Sequence, residues 1–333
     1  VGLGALLGPA IGGFLINWFS WPILFIIQIP IIFVALCFAV RFIPDHRETE
    51  TGQKANFDYI GAGLFGLAIM SSVFVLNQIG EGNAAMTLWP VIILFGLSLV
   101  GFITWMKRVS TPFINLELFR PLMVRAGGLI TVVSYMASFS AMVVIPFYLQ
   151  GILNLAPNFS GLLVLGYPLF LAIIGPIGGT LSDRYGSYIV VLAGLLLMFL
   201  SLLGLSFISH SSSLYLVAGL LCLLGVAMGV LTSPNYSLII FHIPLQFLSF
   251  FSSSIALFRN IGMVMGTAFG VTFMNLWVQG SITDWMVDGN PSQLSQVMMG
   301  FHSFFWFMAG ITAVSIIYLM KVNRKVSQQQ FDI

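Results

Sequence analysis

Residues 159–187 read FSGLLVLGYPLFLAIIGPIGGTLSDRYGS, and residues 188–209, YIVVLAGLLLMFLSLLGLSFIS, turn apolar again at once. No charged side chain precedes Asp183 in this stretch. About 23 uncharged residues, rising 1.5 Å each in a helix, cross the ~30 Å hydrocarbon core of a bilayer. The spacing predicts two membrane helices joined by a short polar loop. Strands are excluded, because an open strand in lipid leaves its backbone groups unsatisfied.

The same alternation fills the chain. Apolar runs lie at about 1–16, 22–43, 59–80, 87–106, 126–150, 159–181, 188–209, 214–241, 250–277 and 300–320. Of 333 residues, 59% are hydrophobic and 7% charged, against about 25% charged in a soluble domain. So few charges cannot cover a water-facing surface. The expected class is an all-α polytopic membrane protein of about ten transmembrane helices. The first run measures only about 24 Å, so the chain is expected to start inside a helix and to be a fragment. A net charge of +2 with no basic block gives no reason to expect nucleic acid as a partner. Cys37 and Cys222 both sit in apolar runs and read as buried thiols, with no metal site expected.

Positive charges orient the helices. Arg41, Arg47 and Lys54 follow the second run, Lys107, Arg108, Arg120 and Arg125 the fourth, Arg184 the sixth, and Lys321, Arg324 and Lys325 the tenth. The intervening loops carry Glu81, Asp284 and Asp288 and no Lys or Arg. The positive-inside rule makes the charged connections and the C-terminus cytoplasmic.

Small residues mark helix faces. Gly4, Gly8 and Gly12 in the first run, and Gly262, Gly266 and Gly270 in the ninth, are each spaced by four. Such faces let backbones approach closely. They are common in membrane helices, but two sets eight helices apart suit two repeats rocking against each other.

The sequence GGTLSDRYGS at 178–187 resembles the signature loop of the major facilitator superfamily, through Gly179, Asp183, Arg184 and Gly186. GLGALLGPAIGG at 2–13, with Gly4, Gly8, Pro9, Gly12 and Gly13, is similar to the antiporter motif of its drug:proton antiporters. FDYIGAG at 57–63, PFYLQ at 146–150 and LFRNIGMVMG at 257–266 resemble the fourteen-helix branch, the EmrB/QacA type. The resemblance implies residues 1–43 as the end of an N-terminal bundle, 44–58 as a cytoplasmic loop and 59–106 as two extra central helices. A second cytoplasmic loop at 107–125, a C-terminal six-helix bundle at 126–320 and a cytoplasmic tail at 321–333 complete the chain. It also implies export of a lipophilic small molecule through the cell membrane in exchange for protons, without a bound cofactor.

Ionisable groups inside a membrane are costly and point to function. Arg259, near the start of the ninth run, is expected near the inner boundary, either snorkelling to water or buried in a coupling role. Glu81 falls at the opposite surface. His242 and His302 lie near helix ends and read as satisfied polar residues. With no deep Asp or Glu in sight, the proton-carrying carboxylate is expected in helices preceding Val1. Polar stripes at helical spacing mark possible substrate contacts: Thr131, Ser134, Tyr135, Ser138 and Met142 on one helix, and Gly225, Met228, Gly229, Thr232 and Tyr236, with Pro234, on another. Interhelical packing explains any one of them equally well. Tyr148 and Gln150 are expected at an outer gate or as an interface anchor. An enzyme is not expected, since metal-ligand spacings, nucleophile elbows and phosphate loops are missing from the sequence. An exporter or flippase of one metabolite, peptide or lipid, and a membrane scaffold, are the alternatives.

Overall fold

The structure is a computed structural model and describes residues 15, 19, 22–42, 58–80, 85–109, 116–244, 247–278, 282, 285 and 293–331. The run at 1–16, with Gly4, Gly8, Pro9, Gly12 and Gly13, lies outside the described residues apart from Leu15. No strand occurs among the described residues.

A single turn, Ile23–Ile26, leads into α1 (Gln28–Phe42). Then come α2 (Tyr59–Gly80), α3 (Ala85–Met106), α4 (Leu122–Pro146), α5 (Pro157–Val164) and α6 (Gly166–Tyr185). The order closes with α7 (Ser187–Leu205), α8 (Leu214–Ile240), α9 (Leu248–Asn275) and α10 (Leu294–Phe331). Among the described residues, nine helical stretches are long and apolar enough to span a membrane.

Three boundaries differ from the sequence expectation for visible reasons. The run at 159–181 breaks between α5 and α6, where Pro168 has no N–H to offer the Val164 carbonyl. The run at 126–150 begins at Leu122, and its last turn relaxes after Pro146 into a π-helix, Phe147–Ile152. The tenth run extends from Leu294 to Phe331, because its flanking polar residues continue the helix outside the apolar stretch.

Within 122–331, α4 packs against α8, α9 and α10, α8 packs against α6 and α7, and α10 also packs against α7. Small residues set the closest approaches. A Cβ on Gly178 would meet the Gly229 carbonyl at 2.6 Å, and one on Gly229 would meet Ile174 at 2.9 Å. Gly225 and Gly229 thus belong to the α6–α8 contact, and Met228 is in the core. The α2–α3 pair docks on α9: Thr272 Oγ1 donates to the Leu76 carbonyl at 2.9 Å, beside Gly80. None of the residues of α1 is buried by the described residues.

One core cluster closes the end of the bundle away from Arg120, Arg125 and Arg184. Tyr148, Phe301, Phe304, Phe305, Leu202 and Leu205 are fully buried there. The Tyr148 and Phe301 rings are 5.0 Å apart, and the Tyr148 hydroxyl donates to the Ser209 carbonyl at 2.8 Å. Gln150 Nε2 donates to Ser160 Oγ at 3.3 Å. Tyr148 and Gln150 therefore lock helix ends together.

Candidate functional site: a cavity at the charged end of the bundle

Toward the opposite end the helices part. A cavity of about 650 Å³ opens between α4, α6, α8 and α9, within the roughly 300–1,000 Å³ usual for small-molecule sites. The helices α8 and α9 scarcely touch, and the cavity lies between them. Thr131, Ser134 and Tyr135 face it from α4, Thr232 and Tyr236 from α8, and Arg259 from α9. Thr131 is 9 residues from the start of α4 and Arg259 is 11 from the start of α9, about 14 Å and 17 Å along their helices.

Ser138 and Met142, expected on the same α4 stripe, do not line the cavity. Ser138 is fully buried, its hydroxyl beside that of Tyr167 with no hydrogen bond formed, and Met142 packs into the dense core. The reason is geometric: moving up α4, the stripe passes from the parted end into the closed end.

Two contributors escape a reading of hydroxyl stripes. The first is the face of α6 with Leu171, Ala172, Gly175 and Pro176, whose apolar character gives no sequence signal. The second is Asn235, an amide within the apolar α8 directly after Pro234, which is the kind of intramembrane polar residue that marks a site. Asn235 is buried, and its Nδ2 donates to the Gly127 carbonyl at 3.0 Å and to Thr131 Oγ1 at 2.9 Å, tying α8 to α4. Its Oδ1 is buried without a partner.

Three hydroxyls have already committed their hydrogens. Thr131 donates to the Gly127 carbonyl (2.9 Å), Ser134 to Thr131 (3.1 Å) and Thr232 to Met228 (2.6 Å). Toward the cavity the half-buried Thr232 oxygen acts as an acceptor. The Tyr236 and Ser252 oxygens, 2.7 Å apart, bridge α8 and α9. Arg259 makes no hydrogen bond or ion pair among the described residues, and its Nε is shielded without an acceptor.

The signature loop is shorter than a loop. Gly186 alone separates α6 from α7, with φ 87° and ψ 142°. Asp183 occupies the last turn of α6, so it meets the negative end of that helix dipole. Asp183 and Arg184 are exposed, Asp183 has no hydrogen bond among the described residues, and the Arg184 guanidinium lies 5.5 Å from the Tyr185 ring centre. Gly179 faces Ser233 of α8.

Gly262, Gly266 and Gly270 form the expected close-approach face, but its partner differs from expectation. Their described neighbours are Val132, Tyr135, Met136 and Ser140 of α4, so the face closes α9 onto α4 inside the 126–320 set. His242 Nδ1 lies 2.9 Å from the Leu238 carbonyl, and His302 Nε2 contacts the Ile208 carbonyl. Both are satisfied polar residues. Cys37 and Cys222 are free thiols; Cys222 is half-buried, whereas Cys37 is exposed among the described residues, unlike the buried thiol expected there.

The Major Facilitator Superfamily profile matches residues 1–121 and 127–331. The riboflavin transporter RibZ of Clostridioides difficile is 29% identical over 98% of this chain and 69% of its own length. The multidrug transporter MdtP of Bacillus subtilis is 26% identical over 88% of the chain and 55% of its own length. The multidrug resistance protein Stp of Mycobacterium tuberculosis is 27% identical over 84% of the chain and 52% of its own length. The chain spans about half the length of the last two. With the helical bundle, its cavity and a match across nearly all residues, the chain belongs to the major facilitator superfamily, a family of transporters and not of enzymes.

Proposed function

We propose that the protein is a secondary transporter of the fourteen-helix branch that exports lipophilic or amphipathic small molecules in exchange for protons by alternating access. The observation that carries this reading is the cavity between α4, α6, α8 and α9, which joins apolar walls to a few hydroxyl acceptors. Such a lining holds solutes by buried area with few orienting groups. Multidrug transporters among the relatives support the substrate class. The protein would lie in the cell membrane with its C-terminus in the cytoplasm, and the cavity would then face the cytoplasmic half. Asp183 and Arg184 would serve as a cytoplasmic latch, and the proton-carrying carboxylate would lie outside the described residues. Everted vesicles holding the full protein should accumulate N-phenyl-1-naphthylamine when energised and lose it on adding a protonophore. Accumulation indifferent to the protonophore would refute proton exchange.

A second reading has its own support. The 29% identity to a riboflavin transporter over 98% of the chain favours one metabolite of similar size and polarity. Riboflavin should then compete with the naphthylamine for the cavity; a multidrug site would let unrelated lipophilic compounds compete equally well.

A further inference from the structure

We infer that the cavity is built for an amphipathic organic anion, with the Arg259 guanidinium as counter-ion to its charged group. This rests on reading the cavity as the substrate site. Three observations carry it.

The first is the imbalance of charge. The cavity lining includes Arg259 and no Asp or Glu. Among the described residues Arg259 has no ion pair, and its Nε is cut off from solvent with no acceptor. A guanidinium stays charged, so partial burial without an anion leaves its desolvation uncompensated.

The second is direction. Arg259 shares the cavity face of α9 with Ser252, Ile255 and Ala256, at spacings of seven, four and three residues. A side chain snorkelling to the helix end would leave that face and expose its Nε. Here the stem stays inside.

The third is the supply of hydrogen bonds. Ser134 and Thr232 have given their hydrogens to their own backbone, and Asn235 has committed its amide donors to α4. Pro176 cannot donate to the Ala172 carbonyl on the same wall. The Tyr135 and Ser233 hydroxyls can still donate, and Arg259 is the charged donor facing the space. A cation would meet like charge in a poorly screened site. An anion, whether carboxylate, sulfonate or phosphate, meets a bidentate donor.

The test uses a matched pair of probes. 8-Anilinonaphthalene-1-sulfonate and N-phenyl-1-naphthylamine share a ring system and differ by the sulfonate. Displaceable binding of each is measured on the full protein in nanodiscs, with empty nanodiscs subtracted, and transport is then followed in proteoliposomes. We expect Arg259→Gln to weaken sulfonate binding by about tenfold, the loss that goes with one charge-assisted hydrogen bond, and to leave the naphthylamine within about twofold. Arg259→Lys should recover part of the sulfonate affinity, which a misfolded variant would not do. Equal loss of both probes, or no displaceable sulfonate binding to the wild type, overturns the proposal. Selective sulfonate binding without transport of either probe would uphold the anion site and count against the exporter reading alone.

Discussion

Gly186 shows how one residue fixes the signature turn. With φ 87° and ψ 142° it occupies backbone space that other residues enter only at a cost of about 1–3 kcal/mol. Gly186→Ala should therefore lower the melting temperature of the purified protein. Gly161→Ala, at a helical position where a Cβ meets nothing within 4 Å, should leave it unchanged or slightly raised. Equal melting of the two variants would show that the turn tolerates a side chain. Asp58 explains another sequence motif, FDYIGAG. Its Oδ1 accepts from the Gly61 amide at 2.8 Å and from Trp105 Nε1 at 2.9 Å, so one carboxylate caps α2 and anchors the end of α3. Asp58→Ala should cost about 1 kcal/mol or more, with Asp58→Asn losing less because an acceptor oxygen remains. The residue that sequence reading leaves out, Asn235, is silent for a different reason. Its polarity is visible in the sequence, but its orphaned oxygen exists only once Gly127 and Thr131 have taken up the donors.

At the scale of helices, most boundaries are legible because lipid imposes a length and charges end the runs. Tyr59–Gly80 matches the sequence expectation to the residue. What a single run cannot reveal is its partner. The spacing of Gly262, Gly266 and Gly270 announces a close approach without saying that α4 fills it, since any backbone suits a groove of glycines. The α4 stripe likewise predicts Ser134 and Tyr135 in the cavity and misplaces Ser138 and Met142, because where bundles part is a tertiary property. Gly266→Val should separate α9 from α4, as its added carbons would meet the Met136 backbone, which cannot move aside as a flexible side chain could. A clear drop in melting temperature and loss of monodisperse protein are expected, whereas Gly310→Ala, facing open space, should change neither. Thr272→Val removes one bond between α9 and α2 and should cost only about 0.6 kcal/mol, the average for such bonds in membranes.

Across the described residues, the parting of α8 from α9 has one consequence for the proposed transport: solute would be held between α4, α6, α8 and α9, near the positively charged end. Asp183, exposed at that end, should matter to the transport cycle and not to folding. Asp183→Asn is expected to insert normally and transport several-fold more slowly, and unchanged transport would remove the latch from the mechanism. The cavity itself is tested most directly by substrate protection. In the full protein with Cys37 and Cys222 replaced by Ser, a cysteine placed at Ala256 or Thr232, both half-buried on the cavity wall, is labelled with a membrane-permeant maleimide while the naphthylamine or sulfonate probe is titrated. A cavity that binds solute predicts labelling slowed in a saturable way at both positions, and not at Ser211→Cys in an exposed turn; labelling rates indifferent to either probe at Ala256 and Thr232 would contradict it.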